Sequence, residues 1–240
     1  NYEFNGANQS TTGLPTTVNN LTFSGSGTKT LIATVAVNSN LAIQSGVIAN
    51  LGTLALTGSA LTTSGTGTLR TQNTTTTPLP LNRTWSFNVV YDGAGQSVVS
   101  GTYNDLTFSG SGTKTLTADT TISNTLSIAN GVSANLGALF THTAESLVLG
   151  GVTQSTSSSY GGTGSPAATI NSTYFTANTG VVNVGPCAPY SLTSTSVASA
   201  ICAGGTSTIN VSNSTPANLP IGNYEVFYTL TGANTGNFFL

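Results

Sequence analysis

The feature that most constrains this chain is a phrase of eleven residues that occurs twice. Leu21-Thr22-Phe23-Ser24-Gly25-Ser26-Gly27-Thr28-Lys29-Thr30-Leu31 returns letter for letter at Leu106 to Leu116. The offset of 85 positions holds without a gap as far as Gly52 and Gly137. Upstream, Asn5-Gly6-Ala7-Asn8-Gln9-Ser10 echoes Asp92-Gly93-Ala94-Gly95-Gln96-Ser97 with a small change of spacing. A period this long in a polar chain points to stacked repeats rather than a compact enzyme.

A finer period lies inside the long one. Leu21-Thr22-Phe23, Leu41-Ala42-Ile43 and Leu61-Thr62-Thr63 start 20 positions apart, and Leu31 and Leu51 keep the same step. Leu106-Thr107-Phe108 and Leu126-Ser127-Ile128 repeat it, and Leu147-Val148-Leu149 follows one residue late. Each triplet alternates inward and outward, as a strand with one buried face does. Short strands separated by Gly, Ser and Asn turns at a fixed rung length predict a parallel β-helix. Like side chains then stack along its axis at about 4.8 Å. A β-sandwich is the alternative, but it needs no positional identity at a fixed step. The inward set is expected to be Leu21, Phe23, Leu31, Leu41, Ile43, Leu51, Leu106, Phe108, Leu116, Leu126, Ile128 and Leu136, with almost no α-helix anywhere.

The fold class expected is therefore all-β: a solenoid of about 20-residue rungs over residues 1–186, in two long repeats of about 1–87 and 88–186. Each long repeat makes roughly four rungs. Residues 71–84, with Pro78 and Pro80, break the rhythm and are expected to form a loop thrown out from the rung. Trp85 returns to a strand, either as a sugar-stacking platform or, the favoured reading, packed over that loop. Gln154 to Ser165 reads as a loop, and Thr173-Tyr174-Phe175 and Val181 to Val184 read as the last rungs. From Cys187 the composition changes to longer alternating strands, Thr206 to Val211 and Glu225 to Leu230. That predicts a small antiparallel, Ig-like sandwich module over 187–240, short for such a domain.

Charged residues make up 4% of the chain and the net charge is −2. There is no basic footprint for nucleic acid, and no apolar run long enough to insert in a membrane as a helix. No signal peptide is read, and the start at Asn1 within a repeat predicts a piece processed from something longer. Mean hydropathy is +0.14, and the apolar residues are periodic, so order is expected.

The search for chemistry finds little. The acids are Glu3, Asp92, Asp105, Asp119, Glu145 and Glu225, dispersed rather than paired as general acid–base work requires. His142 is the only histidine and reads as a surface residue, with no ligand set for a metal around it. Lys29 and Lys114 occupy equivalent places and read as a repeated surface feature. No cofactor, metal or catalytic residue is expected. Cys187 and Cys202 are the only cysteines. An even count in an extracellular-looking chain favours a disulfide over two buried thiols.

The stretch Tyr103 to Leu116 and the phrase Ser127-Ile128-Ala129-Asn130-Gly131-Val132 resemble repeats of very large secreted surface proteins of the Bacteroidota, including gliding adhesins exported by the type IX route. The tail, Ala200 to Ile209 with Leu219 to Tyr224, resembles the Ig-like modules that follow such repeats. The resemblance implies an extracellular, cell-surface location. Asp119-Thr120-Thr121 resembles the O-glycosylation pattern of that phylum, which makes Thr120 a candidate site.

Four functions compete. The first is a non-enzymatic stalk or adhesin segment that meets surface glycans or other cell-surface components. The second is a filament subunit that associates end to end. A carbohydrate-active β-helix enzyme lacks the acids it needs. An ice-binding face would need its Thr-Xaa-Thr pairs (Thr28 and Thr30, Thr66 and Thr68, Thr113 and Thr115) on successive rungs. The scaffold reading is the one the residues favour, because the duplicated positions are apolar and turn residues.

Overall fold

The computed structural model describes residues 1–185 and, beyond them, only the strands Leu192–Ser194, Val211–Asn213, Phe227–Leu230 and Gly236–Phe239. The chain divides into two compact units, Asn1–Cys187 and Ala188–Leu240. All regular elements among the described residues are strands. In the second unit Leu192–Ser194 pairs antiparallel with Val211–Asn213, and Phe227–Leu230 with Gly236–Phe239. Cys187, Cys202 and the rest of the expected Ig-like module lie outside the described residues.

The first unit is a parallel β-solenoid of about seven turns. Its rungs follow the step read from the triplets. Leu21 pairs with Leu41 and Phe23 with Ile43, while Leu106 pairs with Leu126 and Phe108 with Ile128. Leu126 then pairs with Leu147, one residue late. Every one of the twelve side chains expected inside is at most 4% exposed. One step departs from the pattern: Leu41 pairs with Thr63, not Leu61, so that rung is two residues longer. Leu61 is buried even so.

The two long repeats do not sit directly above one another. Thr17–Phe23 belongs to a five-stranded sheet, yet its copy Gly101–Phe108 belongs to a twelve-stranded one. Gly27–Thr30 belongs to the twelve-stranded sheet, and its copy Gly112–Leu116 to a third sheet of three strands. At the junction Leu69 pairs with Val89 and Thr71 with Tyr91. Thr68–Thr71 continues the ladder Gly27–Thr30, Val47–Asn50, whereas Val89 to Tyr91 is the counterpart of Tyr2–Phe4. The second repeat is thus set on the first turned by one face. The cause is arithmetic: the ladder runs from Lys29 through Ala49, Leu69 and Val89 to Leu106, so four rungs take 77 of the 85 residues and leave eight, the distance from Leu21 to Lys29. Those eight span the corner from one face to the next, so the pattern restarts one face on.

Several local expectations need correction. The segment 71–84 is not thrown clear of the solenoid. Pro78 supplies a carbonyl to the Leu56 N–H, and Leu79 is buried in the core. Trp85 is not an exposed platform. It is fully buried, stacked on Tyr103 at 6.5 Å and tilted against Phe87 at 6.0 Å. Thr173 to Phe175 forms no strand, although Phe175 makes one parallel bridge to Ala134. The loop after Gln154 contains the strand Ser158–Gly161.

Two buried phenols in this core are matched, whereas the Trp85 Nε1 beside them has no partner among the described residues. The Tyr103 hydroxyl donates to the Val99 carbonyl at 2.7 Å, and the Val99 N–H donates to the Tyr91 hydroxyl at 3.3 Å. Two phenols thereby satisfy one residue between strands. Burial pushes Tyr91 up to about 12. At the corner of each repeat, Gly25 and Gly110 share φ of 75°. A Cβ on Gly25 would strike the Asn5 carbonyl oxygen of the neighbouring rung, and one on Gly110 the Asp92 carbonyl oxygen. Left-handed backbone and close stacking both call for glycine there.

Two substitutions test this packing by urea unfolding. Leu126→Ala should cost about 2–5 kcal/mol through lost burial and a cavity. Gly110→Ala should cost about 2 kcal/mol or more through φ strain and the carbonyl clash. A neutral Gly110→Ala would mean that the corner does not hold the rung spacing.

Candidate functional site

A concave polar surface among the described residues runs along the second repeat. The strands Arg83–Tyr91, Gly101–Phe108, Thr121–Ile128 and Thr141–Leu149 stack in parallel there. In their first halves Trp85, Tyr103, Ile122 and Ala144 turn inward and are at most 2% exposed. Alternation then sends their neighbours outward. Thr84 pairs with Thr102, Thr102 with Thr121, and Thr121 with Thr143. The result is a column of four threonines, one per rung, spaced about 4.8 Å apart.

This column lines a groove of about 510 Å³ that also takes in Arg83, Asp119 and Phe140. A second hollow of about 330 Å³ continues it to Thr62, Thr63 and Ser86, sharing Arg83 and Thr84. There the Thr63 hydroxyl donates to the Thr84 carbonyl at 2.8 Å and accepts from the Ser86 N–H at 2.9 Å. The first repeat does not reproduce the column, since Thr17 there pairs with Ala36. A surface of this kind offers hydroxyl donors and acceptors at a regular step, with half-buried Phe140 as its aromatic edge. It suits a hydroxyl-rich polymer lying along the axis.

The charged groups near the groove are engaged with the backbone of neighbouring rungs. Arg83 Nη2 donates to the Ser59 carbonyl at 2.6 Å, and Asp119 accepts from the Thr141 N–H at 2.8 Å. Other acids bond chiefly to side chains of the adjoining rung. Glu3 accepts from Ser24, Asp105 from Asn124 and from the Thr125 N–H, and Asp92 from Arg70. The links made by the acids span 19 to 22 residues, which is one rung. Asp105 acts where the ladder between Gly101–Phe108 and Thr121–Ile128 slips, between Tyr103 and Leu106, giving the Thr125 N–H an acceptor. Among the described residues no three of His, Cys, Asp and Glu come together as a metal site. No helix of the described residues is long and apolar enough to cross a membrane.

Two expectations about charged residues are overturned. Lys29 and Lys114 are fully buried, not a surface feature. Lys114 Nζ donates to the carbonyls of Gly93 and Ala94 at 2.6 Å each and of Ser111 at 3.0 Å. Lys29 Nζ donates to the equivalent carbonyls of Gly6, Ala7 and Ser26. In each repeat an ammonium thus fills a corner where three backbone oxygens converge. Burial pushes Lys114 down to about 8, with the Asp92 carboxylate pulling the other way; for Lys29 burial acts in the same downward direction. His142 is also fully buried, its Nε2 against the Leu136 carbonyl at 2.9 Å and its Nδ1 without a partner. Phe140 meets its ring edge-on at 6.4 Å.

Thr120, the candidate glycosylation residue, lines the groove but is 3% exposed, and its hydroxyl donates to the Ala118 carbonyl at 3.0 Å. A sugar on that oxygen requires the turn to open. The Thr-Xaa-Thr pairs do not recur on adjoining rungs: Thr28 and Thr30 stack on Ile48 and Asn50, Thr113 and Thr115 on Ser133 and Asn135. No family model, curated protein or solved structure matches the chain.

Two outcomes follow from the buried charges. Lys114→Met should lower unfolding stability by about 3 kcal/mol, because three carbonyls lose their donor in a buried corner. Full retention of stability in that variant would remove the ammonium from the fold's support. For His142, burial holds the folded-state value below the ordinary 6.5, against the weaker pulls of the Leu136 carbonyl and the Asp119 carboxylate. The unfolded chain therefore takes up its proton first as pH falls. The contribution is intact above 6.5 and is lost as pH drops through and below the depressed value. Melting temperature should fall between pH 7 and about pH 5, and His142→Gln should flatten that slope.

Proposed function

We propose that this segment is a non-enzymatic structural and adhesive part of an extracellular surface protein. Its solenoid unit acts as a scaffold and touches glycans through its threonine column. The observation that carries the reading is the use made of charge. Glu3, Asp92, Asp105 and Asp119 each receive a hydrogen bond from the adjoining rung, and the two lysines close backbone corners. Groups that general acid–base chemistry would require are committed to keeping rungs together. What remains outward is a column of hydroxyls, suited to weak contacts repeated along a polymer, which raise avidity without one strong site.

The ends of the solenoid favour a stalk over a head-to-tail filament. At the far end Val152–Thr153 runs antiparallel on Thr141–Leu149, and Ser158–Gly161 runs antiparallel on Val181–Val184. That end does not offer the plain parallel ladder that Tyr2–Phe4 would need from another copy.

The test uses the purified chain and a panel of polysaccharides. Retention on at least one polysaccharide is expected, with no new reducing ends or unsaturated products. Thr102→Val with Thr121→Val should weaken retention about tenfold while leaving the melting temperature unchanged, because the two hydroxyls contribute little to the fold. Turnover that disappears when Asp119 or Glu145 is replaced would overturn the reading.

A further inference from the structure

The two repeats give one chain two versions of the same rung, one covered and one bare. Val89 to Tyr91 lies between Leu106 to Phe108 on one side and Leu69 to Thr71 on the other. Its counterpart Tyr2–Phe4 pairs with Leu21 to Phe23 in the matching register but ends its sheet. Gln9–Ser10 pairs with Lys29 and Thr30 as Gln96 and Ser97 pair with Lys114 and Thr115; both strands end their sheets, so here the difference between the copies lies in what meets the glutamine side chain.

The covered version shows what the bare one is shaped for. Gln96 Oε1 accepts from the Gly93 N–H at 2.7 Å, which frees its Nε2 to donate to the carbonyls of Thr71 and Asn73, both at 3.0 Å. The Asp92 N–H donates to the Thr71 carbonyl at 3.1 Å, and Arg70 pairs with the Asp92 carboxylate. In the first repeat Gln9 Oε1 accepts from the Gly6 N–H at 2.8 Å, the same posture. Among the described residues no acceptor meets Gln9 Nε2. Tyr2 is 41% exposed where Val89 is fully buried, and Asn5 is exposed where Asp92 is covered. The corner beneath is already built, with Gly25 and Lys29 fitted against Asn5, Gly6 and Ala7 as Gly110 and Lys114 are against Asp92, Gly93 and Ala94.

We propose that the outer edge of Tyr2 to Ser10 is a docking surface for the last rung of a further four-rung repeat of this kind. That partner presents a backbone like that of Thr68 to Asn73. Unpaired parallel strand, a free carboxamide and exposed aromatic surface are what such a rung would cover. A second copy of this chain is not the occupant, because its own 68–73 rung is already covered by Val89 to Gln96. The inference rests on the scaffold reading but concerns the edge alone. Polysaccharide turnover would end the former, and the measurement below decides the latter.

The test is a longer chain in which residues 1–88 run directly into residue 2 of the full sequence, so that Tyr2 takes the place of Val89. Hydrogen–deuterium exchange at residues 2–10 of the second block is compared with the same residues in the original chain. About tenfold or greater slowing is expected as the edge amides join the cooperative unit, with one melting transition at a higher temperature. Asn5→Asp in the second block, placed opposite Arg70 of the first, should add protection in the longer chain and none in the original. Unchanged exchange at 2–10, or a first block that melts separately, would overturn the proposal. So would protection in the original chain that grows with its concentration, since the occupant would then be a second copy.

Discussion

Along the two repeats each strand of this solenoid finds its hydrogen-bond partner about twenty positions away, on the next rung, and the rest of the structure answers to that requirement. The ladder fixes the pitch, and the pitch dictates which residue types are tolerated. Inward positions must be apolar and alike, as in the stacks Leu21 on Leu41 and Leu106 on Leu126. Corners must let carbonyls converge, which is why glycine stands at 25 and 110 and why a lysine ammonium reaches into each corner. Where the ladder slips, a side chain stands in, as Asp105 does for the Thr125 N–H. A chain with 4% charged residues uses most of its few charges as links between rungs.

The apolar half of this was legible in the sequence. The triplets gave the rung step, and the twelve inward residues follow from alternation alone, because burial of a leucine needs no partner of a particular kind. The polar half was not. Lys29 and Lys114 looked like surface residues because lysine is rarely buried without a carboxylate. Their partners are backbone oxygens of Gly6, Ala7, Gly93 and Ala94, which no side-chain pattern announces. His142 misled for the same reason: its partner is the Leu136 carbonyl. Nor does Trp85 show in sequence that Tyr103 will lie one rung above it.

The candidate groove lay between these cases. Thr84, Thr102, Thr121 and Thr143 follow one another at close to the rung step, so their alignment was present in the numbering. In a chain so rich in threonine the column does not stand out until the bulges of each strand are known. Those bulges shift the pairing by a residue between Trp85 and Asn88 and again between Tyr103 and Leu106. The turn of one face between repeats was not in the period itself: it depends on the shorter step from Val89 to Leu106, and it became visible only through the sheet to which each copy belongs.

That turn has a geometric consequence for any rod extended in the same manner. A side chain duplicated with the repeat does not form a straight stripe; it climbs like the thread of a screw, advancing one facet at each joint. Such a rod has no front and back. Whatever it brushes against, from whatever bearing, meets the same set of facets in rotation, and a flat opposing surface meets any one of them at intervals rather than as an unbroken line.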